Sequence, residues 1–210
     1  MEFTDVVRRR RMVRNYDPDR PVPAELVDRL LGHAVHAPSA GFSQGWAFLV
    51  LEDPADRDAF WRATTQADQG ADSWLTGMRR APLIIIPLAN RDAYLDRYAE
   101  PDKGWTDRSV DRWPVPYWDT DTAMAAMLLL LGAEDLGLGA LFFGVPGERH
   151  DAVRAAHGIP DDRRIVGVVA LGHEAERVSG SPGTRPRRPL EEVLHVGRFG
   201  VSGGNRHPRL

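Results

Sequence analysis

The run Ala123-Met124-Ala125-Ala126-Met127-Leu128-Leu129-Leu130-Leu131-Gly132-Ala133 constrains this chain more than any other feature. Wound as a helix over about 121–136, it is apolar on every side. Such a helix has no face for water, so it is either buried completely or buried half by its own subunit and half by a partner. It is too short, and too closely flanked by charge, to span a bilayer. Asp119, Thr120 or Asp121 is the expected N-cap. The methionines read as packing. Gly137-Leu138-Gly139 follows directly. It is not a dinucleotide fingerprint: Phe142 stands where the third glycine belongs, and the run follows a helix and precedes a strand, the reverse of the required order. It reads as a helix C-cap.

The rest of the chain must cover that helix. At 210 residues with 42% apolar and 27% charged side chains, one globular domain is the expectation. A net charge of −3 gives no bulk attraction to nucleic acid. No apolar run reaches membrane-spanning length and no leader pattern opens the chain, so a cytoplasmic protein is expected. Cysteine is absent, which excludes disulfides, thiolate nucleophiles and thiolate metal sites. Redox chemistry would therefore need a bound cofactor. Lys103 is the only lysine, and it sits in a polar stretch.

Periodicity predicts helices over 3–13 (Thr4 as N-cap), 23–36, from Pro54 onward, 73–79 and 147–157, and strands over 46–52, 81–88 and 163–171. The continuous β-branched runs mark the last two strands as buried. His33 and His36 share a helix face, but no acidic partner pattern supports a metal site there. Residues 90–118 carry Tyr94, Tyr98, Trp105, Trp113, Tyr117 and Trp118 among prolines and charges. This segment is expected to be a long loop. Either its rings pin the loop to the body or to a second subunit, or they wall a pocket for a flat ring system.

Two stretches carry candidate chemistry. Ala37-Pro38-Ser39-Ala40-Gly41-Phe42-Ser43-Gln44-Gly45-Trp46 combines small residues, which admit close backbone approach, with hydroxyls and an amide that can meet a heterocycle's edge. The run from Arg8 to Tyr16 is basic, and for Arg8 and Arg9 a solvated helix end is the simplest account.

Four segments in order resemble the FMN-dependent nitroreductase family. Ala37 to Trp46 is similar to its A-P-S-x-x-N-x-Q-P-W loop. Arg10, Arg11, Met12 and Arg14 fall in its basic N-terminal motif. The run from Glu134 to Ala140 is similar to its A-x-x-L-G-L-G-T/A segment. Arg185-Pro186-Arg187-Arg188-Pro189-Leu190-Glu191-Glu192-Val193 resembles its C-terminal basic motif. The resemblance implies an α+β fold, with a central, mostly antiparallel sheet flanked by helices. It implies a single domain over 1–195 with a tail over 196–210, and a homodimer whose interface includes the long buried helix. It implies FMN at that interface and NAD(P)H as co-substrate. Arg10, Arg11, Met12, Arg14, Arg185, Arg187 and Arg188 would surround the phosphate. Pro38, Ser39, Ala40 and Gln44 would lie against the flavin and its ribityl chain, and Phe143 and Gly144 would cover one ring face. Gln66 and Gln69 are further candidates for the ring edge. The implied reaction is ping-pong hydride transfer through FMN N5 to a small acceptor such as a nitroaromatic, quinone or flavin, with no obligatory side-chain acid or base. A flavin store or sensor, or a dehydrogenase of a biosynthetic intermediate, is the alternative. Met12 stands for the family's Ser, Phe42 for Asn and Gly45 for Pro.

Overall fold

The computed structural model describes residues 1–65, 73–176 and 186–201; Gln66, Gln69 and Arg185 lie outside them. In chain order the elements are α1 (Phe3–Arg9), α2 (Ala24–Ala34), β1 (Trp46–Leu51), α3 (Pro54–Thr64), α4 (Ser73–Arg79), β2 (Leu83–Asn90), α5 (Arg91–Ala99), α6 (Tyr117–Asp135), β3 (Gly139–Phe143), α7 (His150–His157), β4 (Arg163–Ile165), β5 (Val168–Gly172) and α8 (Leu190–Val193). The strands form one antiparallel sheet in the order β1-β2-β5-β3, with β4 also paired to β2. The α+β expectation therefore holds.

The strand β2 is the sheet's centre, and its side chains alternate between two cores. Ile84, Ile86 and Leu88 join Phe60, Trp61 and Val153 from α3 and α7 on one face. Leu83 and Ile85 join Val27, Leu30, Ala125 and Leu129 from α2 and α6 on the other. The result is helices, sheet, helices, the layering that buries both faces of an apolar strand.

The expected strand over 163–171 is in fact two. Pro87 has no N–H to give the ladder. Leu88 pairs with Ile165 and Ile85 with Val169, so three residues (166–168) oppose the two between Ile85 and Leu88. That is a bulge. It is closed by the Val166 N–H donating to the Pro87 carbonyl at 3.1 Å. A Cβ on Gly167 would lie 2.2 Å from the Phe142 ring, so glycine is required where the chain kinks.

The first helix ends at Arg9 rather than near 13. Beyond it the backbone is drawn out beside β3: Met12 bridges Ala140 in parallel, and the Val13 N–H donates to the Ala140 carbonyl at 3.0 Å. Tyr16 is fully buried and its hydroxyl lies 2.9 Å from the Val13 carbonyl and 3.0 Å from that of Ala170. Burial pushes its phenol well above the usual range, so it stays a donor. At the other end the cap of α1 is Glu2, without a side-chain bond, and not Thr4.

Residues 90–118 contain a full helix, α5, which the loop expectation missed. Asn90 caps it, accepting from the N–H groups of Asp92 and Ala93. The long apolar helix α6 begins at Tyr117, with no side-chain cap from Asp119, Thr120 or Asp121. Its other end closes as expected: Gly137 is left-handed (φ 73°), the Leu138 N–H donates to the Ala133 carbonyl and the Gly137 N–H to that of Glu134. One stripe of α6 faces out. Ala123, Met124 and Met127 are exposed and Leu128 and Leu131 half-buried. Among the described residues no helix is long and apolar enough to cross a membrane.

Two histidines give the fold a pH dependence. His157, packed near Phe60, has a buried Nε2 without a partner among the described residues. Burial holds its imidazole below the ordinary value of 6.5, and burial, then Arg20, does the same for His173. The unfolded chain takes these protons more readily, so stability is full above about 6.5 and falls as pH drops toward the depressed folded values. The melting temperature is expected to fall from pH 7.5 to 5.5, and His157→Asn to flatten that slope. Equal slopes in parent and variant would rule His157 out as a contributor.

Candidate functional site

The loop ahead of β1 is held in a conformation its sequence resists. Gly41, Phe42 and Gln44 all have left-handed φ angles of 61°, 55° and 50°. For the two residues with a Cβ this costs about 1–2 kcal/mol each. Internal bonds fix part of the shape. The Ser39 Oγ accepts from the Gln44 N–H at 3.0 Å, the Ser39 carbonyl accepts from the Phe42 N–H at 2.9 Å, and the Ser43 hydroxyl donates to the Ala40 carbonyl at 2.7 Å.

The rest comes from α5 and α6. Tyr94, Arg97 and Tyr98 lie on one face of α5, at the i, i+3 and i+4 spacing. The Arg97 Nε donates to the Gly41 carbonyl at 2.9 Å, while its two terminal nitrogens hold Asp102 at 2.7 and 2.8 Å. A Cβ on Gly41 would sit 2.6 Å from the Tyr98 ring. A Cβ on Gly45 would sit 2.4 Å from the Tyr94 ring and 2.7 Å from the Asn90 carbonyl oxygen. Proline at 45, the family's usual residue, cannot be accommodated beside Tyr94. Asp121, only 1% exposed, completes the clamp. Its Oδ2 accepts from the Ala40 N–H and from the Tyr94 hydroxyl, both at 2.8 Å, and its Oδ1 from the Thr120 hydroxyl at 3.2 Å. Burial, then the Asp121 bond, pushes the Tyr94 phenol far above its ordinary value and keeps it a donor.

The aromatics of 90–118 use their rings on one another. Trp113 packs edge-on against Tyr94, Tyr98, Trp105, Tyr117 and Trp118, with centroids 4.6–5.9 Å apart. Two members of this cluster, Tyr94 and Tyr98, press on the loop. The pinning reading describes these rings.

The basic segment is sorted by its partners. Arg10 has a buried Nη1 with no hydrogen-bond partner among the described residues. Arg11 is ion-paired through both terminal nitrogens with Glu174. The Arg14 Nη1 donates to the Met12 carbonyl at 3.1 Å. The Met12 Sδ receives the Phe142 N–H at 3.4 Å, so its thioether packs on β3. Arg187 is exposed, and Arg188 is turned to Glu192, its Nε donating at 3.1 Å. Phe143 stacks on Trp61 at 5.7 Å with the planes 5° apart, a prop within the core. Gly144 is exposed, with open space where a Cβ would be.

These groups fall into two places. The loop carrying Pro38, Ser39, Ala40 and Gln44 is tied to Asp121, near the start of α6. The segment carrying Arg10 to Arg14 follows α1, which is tied to the end of α6 by Arg9 with Glu134 at 3.3 Å and by the terminal amine with Asp135 at 2.7 Å. At 1.5 Å per residue the two anchors on α6 are about 20 Å apart. They also serve opposite sheet edges, since the loop leads into β1 and Met12 pairs with β3. The sequence reading named neither Tyr94 nor Arg97 as a loop contact, and took Asp121 for a helix cap. The Asn90 cap and the helical spacing of Tyr94, Leu95 and Tyr98 are the sequence signals of α5.

The model of the nitroreductase family matches residues 7–173. A Thermus thermophilus protein named NADH dehydrogenase is 32% identical over 208 residues, covering 89% of this chain and 91% of that one. A Methanothermobacter thermautotrophicus protein described as NADH dehydrogenase/NAD(P)H nitroreductase is 31% identical over 187 residues, 88% of this chain and 82% of the relative. A structure from Desulfovibrio desulfuricans, described as a nitroreductase in complex with FMN, superposes with a TM-score of 0.69 at 25% identity, covering 95% of this chain and 98% of that one.

The clamp makes its own prediction. Tyr94→Phe leaves the buried Asp121 Oδ2 with the Ala40 N–H alone, and is expected to cost about 1–3 kcal/mol. Urea unfolding of the parent and variant measures this. A variant as stable as the parent would show that the hydroxyl contributes nothing to holding the loop.

Proposed function

Because the chain belongs to the nitroreductase family, we propose that two copies join around α6, so that the 39–44 loop of one and the 10–14 segment of the other meet at one FMN. The chain is an FMN-dependent oxidoreductase with NAD(P)H as co-substrate. The observation that carries the proposed site is the buried, unpartnered Arg10 Nη1. A guanidinium nitrogen withdrawn from water without an acceptor is costly, and a phosphate oxygen would satisfy it. The exposed stripe of Met124 and Met127 on an otherwise apolar helix supports the pairing of two copies. So does the spacing of about 20 Å along α6 between the anchors of the two groups of candidates in one chain.

In this reading Arg10 holds the phosphate, with Arg14 and Arg187 as the further cations. Arg11 and Arg188 already have carboxylate partners in Glu174 and Glu192 and rank below them. The backbone and side chains of Ser39, Ala40 and Gln44 meet the ring edge and ribityl chain, and the open backbone at Gly144 lies against one ring face. FMN held there would supply hydride transfer between NAD(P)H and a nitroaromatic, quinone or flavin, the two substrates using the pocket in turn. The residues orient the ring and exclude water, and none is asked to move a proton. We assign the protein to the cytoplasm, where NAD(P)H is supplied.

The visible spectrum of the purified protein tests the cofactor: oxidised-flavin bands, released as FMN, are expected. Arg10→Ala combined with Arg187→Ala is expected to leave a folded protein whose FMN affinity is lower by about 100-fold or more, the loss of two charge-assisted contacts. Undiminished affinity would remove the phosphate assignment. Sedimentation at micromolar concentration is expected to give a dimer, and a stable monodisperse monomer would contradict the shared site.

A further inference from the structure

The one large apolar side chain that the clamped loop exposes is also held at one of its strained positions. Phe42 has φ 55° and is 72% exposed. It belongs to neither hydrophobic core. The other strongly exposed phenylalanines, Phe3 and Phe199, lie in chain-terminal segments. Phe42 instead sits in a loop fixed on both sides: Ala40 by Asp121 and Gly41 by Arg97 before it, Ser43 by the Ala40 carbonyl and Gln44 by Ser39 after it. Glycine would adopt this backbone without cost. The fold therefore spends strain to hold a phenyl ring out in water, where its own chain makes no use of it. Backbone strain of this kind persists where the surroundings over-determine it, and it clusters at ligand sites.

We propose that Phe42 is a specificity-determining residue. Resting on the FMN reading above, the clamp carries its ring to the flavin site of the second copy as an apolar wall of the acceptor pocket. A phenyl ring offers no hydrogen bond to a polar acceptor. It offers area and a quadrupole to a flat one, in offset or edge-on contact. The pocket it lines favours uncharged, flat aromatic acceptors such as quinones over small charged ones.

Phe42→Gly distinguishes a lost wall from a lost fold. It removes the ring and relieves the left-handed backbone at once. On the FMN-loaded protein the variant is expected to melt at the same temperature or higher and to keep its FMN dissociation constant within about threefold. Naphthol, a flat ring that accepts no hydride, is expected to perturb the visible flavin band of the parent and to bind the variant about tenfold more weakly, as losing half of a buried phenyl's transfer free energy gives. The KM for naphthoquinone should rise by a similar factor while that for ferricyanide holds, and Phe42→Tyr should restore the parent's values. An FMN-loaded Phe42→Gly variant that binds naphthol as the parent does, with an unchanged ratio of the two KM values, overturns the inference and leaves the FMN reading standing. A parent protein that takes up no FMN overturns both.

Discussion

The candidate loop depends on one carboxylate. Asp121 is almost completely withdrawn from water, and such a group is tolerable only when its oxygens are hydrogen-bonded. It takes a backbone N–H from the loop, a phenol from α5 and a hydroxyl from its own helix. Each donor comes from a separate stretch of chain, so the bonds stand or fall together. The left-handed residues of the loop would relax in isolation. Held between Asp121 and the Tyr94, Arg97 and Tyr98 face, they present a defined surface at small entropic cost on binding.

The helix that carries Asp121 also anchors both groups of candidate residues. Its first turns hold the loop and its last hold the basic segment through Arg9 and the terminal amine. Burial on one side by α2, β2 and β3 fixes the helix as a rigid spacer. The outward stripe of methionines is left for another surface. One helix thus keeps the two groups of candidate residues apart within a chain and leaves a face of exposed methionines between their anchors.

Much of this fold could be read from the sequence, because period and length reported burial directly. The apolar run from Leu83 to Leu88 read as a buried strand in spite of Pro87, and the apolar run from Ala123 to Ala133 as a buried helix. Gly137 ended that helix by the expected geometry. The failures have tertiary causes. Residues 163–171 divide because the partner strand has a proline at 87, which no property of 163–171 announces. The segment after α1 extends because β3 offers it an edge. The helix α5 was hidden because six aromatics among prolines and charges look like a long loop, and its own signals, the Asn90 cap and the spacing of Tyr94, Leu95 and Tyr98, span only nine residues. Among the arginines, sequence could not tell Arg10 from Arg11, since the difference is that Glu174 faces only the second.

Two of the three departures from the family pattern become intelligible as adjustments to neighbours. At position 45 a side chain would enter the Tyr94 ring, and Tyr94 cannot withdraw without giving up Asp121; glycine there follows from the clamp. Met12 places its sulfur under the Phe142 N–H, filling against β3 the space beside Arg10 and meeting a donor with a weak acceptor. Phe42 has no such internal reason. Its ring touches neither core, and its backbone would be easier with glycine. Two departures are explained within the chain and the third points out of it. Had Phe42 been a passive consequence of the clamp, its ring would have packed on Tyr98, which lies against Gly41. Its exposure instead places the cause in whatever the loop meets.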